Sequence, residues 1–126
     1  MRIFSVFLLL VAFASAGVSQ DDETKCCCTT FDMSVCLSKI RDGVDAELNT
    51  TYEKALAMAQ RFTSEDVENL KDAERKWIAY RDAACKAEYS LWGKGSGGPN
   101  AHGMCVIRLT RQRTADLRSA YLDRLR

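Results

Sequence analysis

From Met33 to Phe62 an apolar or small residue recurs every three or four positions: Met33, Leu37, Ile40, Val44, Leu48, Tyr52, Ala55, Ala59 and Phe62. That spacing is the turn of an α-helix and lines these side chains along one stripe. A half-buried strand would alternate every second residue instead. Gly43 costs about 1 kcal/mol relative to alanine inside a helix. The stripe nevertheless keeps its phase across Asp42-Gly43, so the spacing predicts one long helix from about Asp32 to Arg61.

A lone amphipathic helix must bury its stripe against something, and the chain supplies two more of the same kind. Ser64 is the expected N-cap of the second, with Glu65 and Asp66 in the first turn where the helix dipole favours acids. Its stripe reads Val67, Leu70, Ala73, Trp77, Tyr80, Ala84, Ala87 and Leu91, and Gly93 is its expected C′ residue. Gly93 to Gly103, "GKGSGGPNAHG", holds five of the seven glycines and the only proline, so it reads as a loop. A third stripe resumes with Met104, Ile107, Thr110, Thr114, Leu117, Tyr121 and Leu125. Nothing reads as a strand. Short connections make neighbouring helices antiparallel, so the expected fold is all-α, an up-down-up antiparallel three-helix bundle over residues 31–126.

Met1 to Ala16 has the order of a signal peptide: Arg2, an apolar run from Ile3 to Phe13, then the small-residue site Ala14-Ser15-Ala16. The run is too short to span about 30 Å of hydrocarbon. The expected mature chain starts at Gly17, with an irregular segment over 17–30 and no stable membrane insertion. This reading makes the protein secreted or periplasmic, where disulfides persist.

The six cysteines then read as a disulfide framework rather than a metal site, because Cys85 and Cys105 stand alone and His102 is the single histidine. Folding the first helix onto the second about Ser64 brings Cys36 level with Trp92, near the glycine-rich loop and Cys105. The expected pairs are therefore Cys36 with Cys105, and Cys85 with a member of the Cys26-Cys27-Cys28 triplet, assigned to Cys28. Within the triplet a Cys26–Cys28 bridge, an intermolecular bridge and a free thiol also stay open. The same levels place Tyr52, Trp77 and Tyr80 in an aromatic middle, Asp82 against Arg113, and Arg81 against Asp45 or Glu47.

Charge divides unevenly. Gly17 to Glu88 carries 10 basic and 15 acidic residues, whereas Tyr89 to Arg126 carries 7 basic and 2 acidic. The basic third helix is expected to pack on the acidic part of its own chain. No nucleic-acid partner, cofactor or metal is expected. Enzyme chemistry is not expected either: His102 has no nucleophile motif around it, and the glycines do not form a phosphate loop, since no strand precedes them. The sequon Asn49-Thr50-Thr51 falls inside a predicted helix and reads as incidental.

A set of motifs carries a family resemblance. It comprises cysteines ahead of a helix, "ELNTTY" (Glu47 to Tyr52), "AERKWIAYRDAAC" (Ala73 to Cys85), a glycine-rich loop, Cys105 and "LTRQRTADL" (Leu109 to Leu117). The chain resembles the LprI-type domain, a family of small exported proteins named for a mycobacterial lysozyme inhibitor. The resemblance spans about Cys28 to Leu117. It implies an all-helical domain with two disulfides and inhibition of lysozyme. The chain departs from the pattern in its extra adjacent cysteines and in lacking a lipid-anchor cysteine.

Two functions follow as expectations. In the first, the protein binds a lysozyme-like glycosidase through the loop bearing Lys94, Ser96, Asn100 and His102, since loops on rigid scaffolds carry recognition. In the second, it is a secreted surface protein whose third-helix arginines (Arg108, Arg111, Arg118, Arg124 and Arg126) contact anionic envelope polymer or lipid.

Overall fold

The computed structural model describes residues 25, 26 and 28–124. The expected signal peptide and most of the irregular segment lie outside the described residues. Three helices make up the described chain: α1 over Thr30–Ala59, α2 over Ser64–Ser90 and α3 over Gly98–Leu117, the last continued by a π-helical stretch, Arg118–Asp123. No strand occurs among the described residues.

Local chemistry starts α1 and α2 in the same way. Thr29 Oγ1 accepts from Asp32 N at 3.1 Å, and Thr29 N donates to Asp32 Oδ2 at 3.2 Å. Thr63 and Asp66 repeat this box at the head of α2, with both bonds at 3.1 Å. The cap is thus Thr63 rather than the expected Ser64. The box needs an acid or amide three residues on, and Ser64 has Val67 there. At the other end of α2 the chain turns through Gly93, whose φ of 56° is left-handed and inexpensive only for glycine.

Cross-helix pairs fix the topology. Asp45 in α1 meets Arg81 in α2 at 3.7 Å, and only a short turn joins Ala59 to Ser64, so these helices are antiparallel. Glu88 with Arg108 and Glu74 with Arg113 set α2 antiparallel to α3. Asn100 Nδ2 donates to Thr30 O at 3.3 Å, and Arg118 meets Glu47 at 2.7 Å, so α1 and α3 run parallel. The bundle is up-down-up. α3 is its centre: it packs on both other helices, which touch each other far less.

The core has three parts. Leu48, Ala55, Ala59, Leu70 and Leu117 fill the end near the α1–α2 turn, with Tyr52, Trp77 and Tyr121 packed on them. At the other end, Leu37, Val44 and Ile107 surround Cys26, and Val106 and Leu109 surround Cys85 and Cys105. Among the described residues the bridges are Cys26–Cys36 and Cys85–Cys105. Both close the same end of the bundle.

This pairing corrects the expected Cys36–Cys105 and Cys85–Cys28 bridges, and Cys28 takes part in neither. The cause is the glycine-rich segment. α3 begins at Gly98, with Pro99 in its first turn where a missing N–H costs nothing. Cys105 therefore lies seven residues inside α3, about 10 Å along its axis at 1.5 Å per residue. That displacement carries it away from Trp92 and down to Cys85. Cys36 is left facing the N-terminal segment and Cys26.

Candidate functional site

The motif from Ala73 to Cys85 lies in α2 at the middle of the bundle. Its inward row is Leu70, Glu74, Trp77, Arg81, Cys85 and Glu88, all buried or half-buried. The expected row had turned through Ala73 and Tyr80 instead. Tyr80 is 61% exposed and so is not part of the core. The signal was present: Glu74 is four residues after Leu70 and three before Trp77, which puts it on their face. Its charge disguised it as a surface position.

The charged members of this row reach other helices. Arg113 Nε and Nη2 both lie 2.9 Å from Glu74 Oε2. Arg81 meets Asp45 across α1, and Glu88 accepts from Arg108 at 2.6 Å. The expected Asp82–Arg113 pair is not formed. Asp82 points outward and takes Arg81 Nε at 3.0 Å instead, because one residue of helix turns it about 100° off the inner row. Two guanidinium groups lie over the Trp77 ring, Arg81 at 5.3 Å and Arg113 at 5.9 Å from its centroid, within cation–π range. Tyr52 packs on the same cluster. Its phenol is held above the ordinary tyrosine range, first by burial and then by the Glu74 carboxylate. Each charge here meets an opposite charge from its own chain, so the arrangement works as a clip between helices.

Two arginines of α3 and one of the π-helical stretch behave alike: Arg108, Arg113 and Arg118 are bound to Glu88, Glu74 and Glu47. These three pairs set cations of the third helix and its continuation against acids of α1 and α2.

The disulfide end presents the more accessible surface. Leu91 is 85% exposed and Trp92 54%. They lead into the turn that carries Lys94 and Ser96, both exposed. Trp92 is seated on glycine: a Cβ on Gly97 would lie 2.7 Å from its ring, and one on Gly98 2.9 Å from the ring of Tyr89. These glycines serve close packing. Asn100 and His102, expected in this loop, are in α3. Asn100 is buried against Thr30, and His102 stands edge-on to Tyr89 with centroids 6.4 Å apart. Beside the turn runs a groove of about 1430 Å³ over the outer side of α3, lined by Trp92, Ser96, Asn100, Met104, Arg108 and Arg111 among others. Among the described residues no cluster of three His, Cys, Asp or Glu side chains is placed to hold a metal. None of the described helices is long and apolar enough to cross a membrane.

No solved structure matches the chain. A protein of Rhizobium meliloti (strain 1021), described as uncharacterized, is 34% identical over 123 residues, covering 88% of each chain. The family described as lysozyme inhibitor LprI matches residues 23–117, a span that takes in both bridges, the Trp77 cluster and most of α3. By that match the chain belongs to the lysozyme inhibitor LprI family.

Proposed function

We propose that the protein is exported and inhibits a lysozyme-like glycosidase, and that the turn from Leu91 to Gly97 is the element it offers to the enzyme. Membership of the inhibitor family supports the activity. Two disulfides in a short chain support an oxidising location. The observation that carries the choice of surface is the exposure of Leu91 and Trp92 beside Lys94 at the cross-linked end.

Glycosidases of this kind work with two carboxyl groups flanking the scissile bond in a cleft. A cation delivered between two apolar side chains complements such a cleft in charge and in shape. The Cys85–Cys105 bridge and the packing of Trp92 on Gly97 hold the turn before contact, which lowers the ordering cost of binding. Of the four residues first expected to bind, Lys94 and Ser96 remain candidates, and Leu91 and Trp92 join them.

The test measures lysis of bacterial walls by c-type and g-type lysozymes with the oxidised mature chain present. Inhibition is expected. Lys94→Glu and Trp92→Ala should each weaken it by about tenfold or more, equivalent to about 1.4 kcal/mol. Absence of inhibition at several-fold molar excess overturns the activity. Full inhibition by both variants overturns the surface.

A further inference from the structure

The opposite end of the bundle holds a second concavity of about 470 Å³. Its walls come from two elements. Lys54, Ala57, Met58 and Arg61 lie on one face of α1 and just past its end, at helical spacing; Arg118, Leu122 and Asp123 come from the π-helical stretch that packs against α1. Three cations face one acid across a floor of Ala57, Met58 and Leu122.

Two of these three cations are not spent as those of the Trp77 cluster are. Arg118 is held by Glu47 at 2.7 Å. Lys54 and Arg61 make no ion pair among the described residues. Arg61 instead turns its guanidinium back onto the floor, with Nη1 3.8 Å from Met58 Sδ. Phe62, next in the chain, is 59% exposed at the same end. π-helical turns are rare and are frequent at functional sites. Here the π turn supplies one wall of the cavity.

We propose that this end is a binding site for an anionic amphiphile. Lys54 and Arg61 hold a phosphate-type headgroup beside the Glu47-paired Arg118, and Met58 and Leu122 take the first part of its apolar chain. Charge complementarity selects the headgroup. The apolar floor and the exposed Phe62 select an amphiphile over a free anion. The size of the cavity suits one headgroup with a few methylenes, within the usual range for small-molecule sites of about 300–1,000 Å³. A long polyanion would need an extended cationic track, and Arg108 and Arg113 of α3 are bound to Glu88 and Glu74. The site is remote from the Leu91–Gly97 turn and stands independently of the inhibitor reading.

The test uses the oxidised mature chain with three probes: inorganic phosphate, monomeric dihexanoyl phosphatidic acid, and phosphatidylcholine vesicles with and without phosphatidic acid. The short-chain phosphatidic acid should bind more tightly than phosphate, with NMR shifts at Lys54, Met58 and Leu122. Vesicle binding that requires phosphatidic acid assigns the headgroup to a bilayer; binding of the monomer alone assigns it to a free amphiphile. Lys54→Gln with Arg61→Gln should weaken amphiphile binding about tenfold or more while leaving lysozyme inhibition and the helical circular dichroism spectrum unchanged. Met58→Asn should weaken the amphiphile and spare phosphate. Undiminished binding by the double variant, or no preference of the wild type for the amphiphile over phosphate, overturns the proposal.

Discussion

Arg113 places two guanidinium nitrogens, Nε and Nη2, 2.9 Å from one oxygen, Oε2, of Glu74. The side chains are 17% and 10% exposed, so the pair ties α3 to α2 in a largely dry setting. Removing one partner strands the other, at a cost of about 3–5 kcal/mol for a buried pair. Glu74→Ala should therefore destabilise the fold by about 3 kcal/mol in urea unfolding. Replacing both residues with leucine should recover most of that loss, because no buried charge then remains unpaired.

Thr110 is fully buried in α3, and its hydroxyl has no hydrogen-bond partner among the described residues. An unsatisfied buried polar group costs about 1–3 kcal/mol. Valine keeps the shape, replaces the hydroxyl by methyl and has nearly the same helix propensity. Thr110→Val should raise stability by about 1 kcal/mol and raise Tm. A lower Tm would show that the hydroxyl has a partner.

The Cys85–Cys105 bridge spans 20 residues, for which loop-closure entropy gives about 3 kcal/mol of stabilisation. Cys85→Ala with Cys105→Ala should lose about that amount. Non-reducing peptide mapping should join the peptide holding Cys85 to that holding Cys105, and Cys26 to Cys36. Recovery of a Cys36–Cys105 peptide would contradict the observed pairing.

Gly97→Ala would put a methyl 2.7 Å from the Trp92 ring. The indole must then move, with an overpacking cost of about 1–3 kcal/mol and a shift in tryptophan fluorescence. The same variant should weaken lysozyme inhibition, since the turn loses its fixed shape. Inhibition equal to wild type would separate Trp92 from the contact surface.

Tyr52 gives a pH dependence. Its raised phenol pKa, set by burial and the Glu74 carboxylate, means that the folded state holds the proton more tightly than the unfolded one. The associated stability is fully present below the ordinary tyrosine value and is lost as pH rises through the raised one. Alkaline titration of tyrosinate absorbance should show one component ionising late. Tyr52→Phe should remove that component and flatten the alkaline fall in stability.

The cysteine pairing shows where legibility stopped. Antiparallel folding about the α1–α2 turn predicts which residues share a level, and Asp45 with Arg81 obeys it. Level is not direction, however. Cys36 and Cys105 both belong to the cross-linked end, yet one faces Cys26 and the other Cys85. Asn100 and His102 read as loop because glycine and proline surround them. Pro99 in a first turn and glycines packed beneath Tyr89 and Trp92 start a helix there instead.

The stripes at three- and four-residue steps, the Thr-Asp boxes and the cysteine-rich ends determined the all-helical fold, its three elements and its disulfide-closed character, because these depend on neighbours in the chain. The tertiary structure decided which face of α2 turns inward, which sulfurs meet and which charges are spent. A charged residue such as Glu74 belongs inside only when Arg113 arrives from another helix to receive it. That energy lies in the pair, and no single stretch of sequence contains both members.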